Sequence, residues 1–125
     1  MKILNIVETA YRATLEEQDD TVLWLSSVLQ RNGADVSLLL RGNAVNYIVR
    51  QECPALAIAG TGIRHPADPN ANLRRLIEQG ARIYAVADDA VERGLDPKRC
   101  LAGIELIERN TVAEVFDAHD QVQHW

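Results

Sequence analysis

A chain of 125 residues, 47% hydrophobic and 25% charged, has the size and composition of a single globular domain spanning residues 1–125. Its net charge of −5 comes from 13 basic and 18 acidic residues, with the basic ones scattered, which excludes a phosphate-backbone binder of nucleic acid. No run approaches the ~18 apolar residues of a membrane span, no signal peptide follows Met1, and Cys53 and Cys100 make neither a disulfide framework nor a zinc site, so a cytoplasmic protein with free thiols is expected.

Lys2 to Val7 is almost continuously apolar, the pattern of a strand covered on both faces. Thr14-Leu15-Glu16-Glu17 fits a capping box, and Asp19 and Asp20 add negative charge near the same helix start. The helix is expected to run to about Asn32 and to stop at Gly33. Leu15, Val22, Leu25 and Leu29 define its apolar face, and Trp24 falls nearly opposite, beside Ser27 and Arg31. A large aromatic there needs a second surface. Trp24, and Trp125 at the chain end, are therefore candidates for a subunit interface.

Asp35 to Leu40 is a second apolar strand, and Asn43 is placed to cap a short helix reaching about Val49. Residues 51–60, broken by Pro54, read as either a short strand or a loop, and residues 61–70 as a turn-rich loop. Asp68 as N-cap and Pro69 in the first turn launch a helix that ends at Gly80, with Leu73, Leu76 and Ile77 as its buried stripe. A strand at Ile83 leads into a short helix capped by Asp88 or Asp89, closed by Gly94 and stopped by Asp96-Pro97. A strand at Ile104, a helix from Asn110 and a last strand from Gln121 to His124 complete the chain. This alternation predicts a three-layer α/β sandwich: a mainly parallel sheet of about five strands with helices on both faces.

Sheets of this kind meet ligands at the carboxyl ends of their strands. The residues predicted there are Glu8, Tyr11 and Arg12, then Arg41 and Asn43, then Asp88 and Asp89. Together they make a candidate polar pocket. Arg12 and Arg41 offer planar, bidentate contacts to a small anionic ligand; the competing reading is a structural network in which Glu8 pairs with an arginine. A divalent metal on Glu8, Asp88 and Asp89 requires a favourable strand order, and neither a metal nor another cofactor is expected. Gly60-Thr61-Gly62 lacks the third glycine of a dinucleotide loop. His65, His119 and His124 are dispersed and form no hydrolase order. Cys53 and Cys100 read as small core or incidental thiols, although Lys98 and Arg99 would favour a thiolate at Cys100.

Residues 82–95, RIYAVADDAVERGL, combine a buried strand, a sharp turn and a short helix ending in Arg93-Gly94-Leu95. This run resembles the DsrE/DsrF-like family of small sulfur-relay proteins, which includes the Tus subunits of tRNA thiolation. Arg41-Gly42-Asn43-Ala44-Val45 is similar to the family's strand-end Gly-Asp/Asn-Ala-Val element. The opening strand and the closing Gly103-to-Ile107, Asn110 and Gln121-to-His124 segments extend the resemblance over nearly the whole chain. In sulfur-carrying members a cysteine ends the strand before Arg-Gly-Leu; here the alignment puts Val86 at that place. The resemblance implies the DsrEFH-type fold and an oligomer, a trimer, a hexamer or an assembly with related DsrE-like subunits. It implies a non-catalytic scaffold, partner or ligand-binding subunit in sulfur metabolism. Two alternatives stand beside it: a persulfide carrier that uses Cys53 or Cys100, and a small-anion sensor that uses the strand-end pocket.

Overall fold

Lys2–Val7 (β1) and Asp35–Leu40 (β2) lie side by side in parallel, with Leu4 opposite Ser37 and Val7 opposite Leu40. This pair is the centre of a computed structural model that describes residues 1–11 and 19–125. The other strands of the main sheet are Arg82–Val86 (β5), Ile104–Ile107 (β6) and Gln121–His124 (β7), in the order β6-β5-β2-β1-β7, every neighbouring pair parallel. Leu56–Ile58 (β3) and Thr61–Ile63 (β4) form a separate antiparallel hairpin.

Strand order fixes the layers. The chain steps from β1 to β2, β5 and β6 in one direction, so right-handed crossovers place Thr21–Arg31 (α1), Pro69–Glu78 (α2) and Ala87–Glu92 (α3) on one face. The last crossover runs back past β1, which puts Val112–Asp117 (α4) on the other. Strand residues alternate accordingly. Val7, Leu38, Leu40, Ile83 and Ala85 join Leu23, Tyr47, Leu73 and Leu76 in the larger core. Leu4, Ile6, Leu39, Tyr84 and Val86 form the smaller core with Val115 and Phe116 of α4. The α/β sandwich with a five-stranded parallel sheet is the fold expected from the sequence.

Several local expectations differ. Among the described residues α1 begins at Thr21, where Asp20 Oδ1 accepts from the amides of Val22 (3.0 Å) and Leu23 (3.1 Å). The capping box at Thr14 and Leu15 lie outside the described residues. The buried face of α1 is Val22, Leu23, Ser26 and Ser27 rather than the Val22-Leu25-Leu29 line. The reason is polar: Ser26 Oγ receives the Asn5 amide at 2.9 Å, and Ser27 Oγ donates to Gln79 Oε1 of the neighbouring α2 end at 3.0 Å. Two serines thus occupy positions that a hydrophobicity count assigns to leucines.

Gly42–Ile48 is a 3₁₀ helix whose N-cap position is Arg41, without a side-chain cap, so Asn43 does not cap it. The hairpin resolves the ambiguous stretch. Ala59 (φ 49°) and Gly60 (φ 79°) both turn left-handed, as a two-residue type I′ turn requires. Asp68 caps α2 as expected. The N-cap of α3 is Val86, and Asp88 and Asp89 both sit in its first turn instead. A 3₁₀ turn, Arg109–Thr111, precedes α4 where a helix from Asn110 was expected. None of the described helices is long and apolar enough to cross a membrane.

Candidate functional site at the carboxyl ends of the strands

Val86 is the last residue of β5, and its side chain, 2% exposed, points to the α4 face. Above it opens a cavity of about 440 Å³ walled by Glu8, Arg41, Gly42, Asp89, Arg109 and Val112. β1 delivers Glu8, β2 delivers Arg41 and Gly42, and the β6–α4 connection delivers Arg109. Two ion-paired units face each other across it.

The first unit is Glu8. Its Oε1 receives Arg41 Nε at 2.8 Å and lies 3.2 Å from His124 Nε2. The second is Asp89. Its Oδ2 accepts from the Gly42 amide at 2.8 Å, and its Oδ1 from the Arg109 guanidinium. Burial pushes the Asp89 carboxyl up, but the Gly42 amide, Arg109 and the nearby Arg93 outweigh it and hold the group below its ordinary value. Asp88 completes the grip: its Oδ1 accepts the Arg109 backbone N–H at 2.9 Å, and Glu92 Oε1 lies 3.2 Å from the Arg109 side chain. Hydrogen bonds to Asp89 and Glu92 push the Arg109 guanidinium still higher, so it stays charged.

The Arg93-Gly94-Leu95 ending acquires a structural role. Arg93 Nε and Nη2 both reach Asn43 Oδ1, at 3.2 and 3.0 Å, and Nη1 reaches the Asp89 carbonyl at 3.2 Å. One arginine therefore locks α3 to the turn after β2.

Of the residues expected at the strand ends, the cavity collects Glu8, Arg41 and Asp89. Asp88 lines a more open groove on the outer side of Arg109. Asn43 is turned to Arg93. Tyr11 packs edge-on against Tyr47, with ring centroids 5.1 Å apart, and donates its hydroxyl to Gln51 at 3.0 Å. Arg12 lies outside the described residues. Sequence reasoning missed Arg109 and His124. A signal was present, since Arg109 follows the carboxyl end of β6, and the same strand-end rule that selected Arg41 applies there.

Neither cysteine lines the cavity. Burial, then Asp68, raises the Cys53 thiol, and burial, then Asp96, raises Cys100. The thiolate expected from Lys98 and Arg99 is not favoured at Cys100. Its Sγ instead lies 3.9 Å from the Asp96 carbonyl, and Arg99 Nη2 donates to the Arg50 carbonyl at 3.0 Å. Among the described residues no cluster of three or more His, Cys, Asp or Glu could hold a metal ion. Trp24 is half exposed on α1. Trp125 is 39% exposed, and its indole N–H donates to the buried Asn5 Oδ1 at 3.3 Å.

Chemically, the cavity offers two fixed guanidinium groups and two carboxylates above an apolar floor. Among its described lining residues there is no cysteine, serine or threonine.

No protein-family model matches the chain, and no curated protein matches it. Solved structures do. The YchN protein of E. coli superposes with a TM-score of 0.76 at 18% identity, over 99% of this chain and 98% of that one. BT1422 from Bacteroides thetaiotaomicron, described as a conserved protein of unknown function, gives 0.67 at 14%, over 99% and 94%. MTH1491 from Methanobacterium thermoautotrophicum, also described as of unknown function, gives 0.59 at 14%, over 98% and 96%. At these identities the likeness is one of fold.

Proposed function

We propose that this chain is a DsrE-like sulfur-relay subunit that carries no sulfur itself and acts through its strand-end cavity as a ligand-binding or partner subunit. The observation that carries the reading is Val86. It ends β5, just before the Ala87–Glu92 helix and Arg93-Gly94-Leu95, and the resemblance read from the sequence aligns this position with the cysteine of sulfur-carrying members. A valine holds no persulfide, because relay needs a thiolate that attacks and is attacked. The raised thiols of Cys53 and Cys100 weigh against a relocated carrier.

The cavity's arginines suit a small anion. Arg41 is held by one acceptor atom of Glu8, which leaves the rest of its donor fork available. A small anion seated over Val86 lies between Arg41 and Arg109. Cytoplasmic location and a homo-oligomer or mixed assembly with related subunits belong to the same proposal. Trp24 and Trp125 motivate the assembly.

Calorimetric titration with thiosulfate and with sulfate tests the ligand arm. Saturable binding that falls at least about tenfold in Arg41→Ala is the expected result, since a charge-assisted hydrogen bond contributes about 1.5–3 kcal/mol. Equal binding by the variant, or none by the parent, removes the anion from the proposal and leaves a partner surface.

A further inference from the structure

We infer that the protein has a second binding site, for a small monocarboxylate, at the opposite end of the sheet under the last turn of α4. A cavity of about 140 Å³ lies there, lined by Lys2, Ser37, Arg82, Tyr84 and His119, with Asp35 beside them. The register explains the grouping. Lys2 pairs with Asp35 and Ser37 with Arg82, and residues two apart on a strand share a face. Lys2, Ser37 and Tyr84 therefore project on the α4 side, below the apolar row of Leu4, Leu39 and Val86.

Two of these residues break the pattern of the strands that carry them. Ser37 is 4% exposed and Tyr84 8%, both on inner strands. Parallel strands covered on both faces are ordinarily apolar throughout. Among the described residues neither hydroxyl has a hydrogen-bond partner. Neither is sealed off either: the fully enclosed unpaired side-chain atom among the described residues is Asn72 Oδ1. Both residues line the cavity. Two mostly buried residues whose hydroxyls have no partner among the described residues thus share one cavity, where both hydroxyls are available to bond a ligand.

The surrounding groups select the ligand. Arg82 is already committed: Nε and Nη2 reach Glu105 at 3.1 and 2.9 Å, and its guanidinium lies 5.1 Å from the Tyr84 ring centroid. Asp35 adds a second carboxylate opposite the Lys2 ammonium. Cations and carboxylates are balanced, so a doubly charged anion such as phosphate gains little. A single carboxylate can accept from the Ser37 hydroxyl, the Tyr84 hydroxyl and the Lys2 ammonium on its two oxygens. His119 supplies the complement. Its Nδ1 lies 2.6 Å from the Val115 carbonyl, so that nitrogen carries a proton, and in the uncharged tautomer Nε2 is the acceptor. A hydroxyl on the ligand donates to it. The cavity is smaller than the ~300 Å³ lower bound of drug-sized sites and holds roughly five water volumes. A short hydroxy-monocarboxylate fits both the chemistry and the size.

The test is an amide-resolved NMR titration of the ¹⁵N-labelled protein with glycolate, acetate and inorganic phosphate, each to tens of millimolar. Saturable shifts centred on Ser37, Tyr84 and His119 are expected for glycolate. Acetate should bind more weakly and phosphate at least about tenfold more weakly. The Ser37→Ala, Tyr84→Phe double variant should lose binding at least about tenfold while melting close to the parent, because each lost hydroxyl is unpaired in the free protein. Lys2→Met, an exposed change that leaves the core untouched, should also weaken glycolate binding. Shifts that never saturate, undiminished binding by both variants, or phosphate binding as tight as glycolate would overturn the assignment.

Discussion

Asp89 Oδ2 accepts the backbone N–H of Gly42 at 2.8 Å while its other oxygen holds Arg109. One carboxylate thereby ties three strand ends together: the turn after β2, the helix after β5 and the segment after β6. Gly42 has φ +56°, a left-handed conformation that suits glycine.

Asp89→Asn is expected to destabilise the protein by about 2 kcal/mol at neutral pH, through the lost charge-assisted bonds. The pH dependence has a definite sign. The Asp89 carboxyl is held below its ordinary value in the folded protein. Its contribution is therefore complete above the ordinary carboxylate range and disappears as pH falls through the folded-state value. Denaturation of parent and variant from neutral to acidic pH should show a gap that closes on the acid side. A gap that does not change with pH contradicts this role.

Tyr47 gives the opposite case. Its hydroxyl donates to the buried Asp20 at 2.7 Å and accepts from the Tyr11 amide at 2.6 Å. Burial, then the Asp20 hydrogen bond, raises the phenol well above its ordinary value. The linked stability is complete below the unfolded tyrosine value near 10 and is lost as pH rises toward the folded one. Tyr47→Phe should cost about 1–3 kcal/mol, flatten the alkaline decline in stability, and speed hydrogen exchange at the Tyr11 amide. An unchanged alkaline profile would show that the network does not hold in solution.

Much of this was legible in the sequence, because backbone periodicity and punctuation are local signals. The apolar runs of β1 and β2, the Asp68-Pro69 start of α2 and the Arg93-Gly94-Leu95 close of α3 follow from residues adjacent in the chain. The misses share one cause. Ser26 and Ser27 are buried because Asn5 and Gln79 meet them from other elements. Val86 takes the N-cap position that two neighbouring aspartates suggested for themselves, since both carboxylates are drawn to Arg109 and one also to Gly42. Arg109 enters the site from a position 21 residues after Asp88. Partners distant in sequence decided each of these.

Assembly is testable through Trp24, half exposed on α1. Light scattering coupled to size exclusion should give a mass well above the 13.9 kDa monomer. Trp24→Ala should shift the equilibrium toward monomer, since truncating a buried interface tryptophan costs about 2 kcal/mol or more. A monomeric parent at micromolar concentration would refute the interface.

The absence of a sulfur-carrying thiol is the central claim, and intact mass spectrometry tests it most directly. The protein is incubated with a cysteine desulfurase and cysteine, desalted without reductant, and weighed beside Cys53→Ser and Cys100→Ser. The account predicts an unchanged parent mass, because Val86 stands at the strand end and burial and a neighbouring acid disfavour both thiolates. A stable gain of about 32 Da in the parent, one persulfide sulfur, that disappears in either serine variant would contradict it.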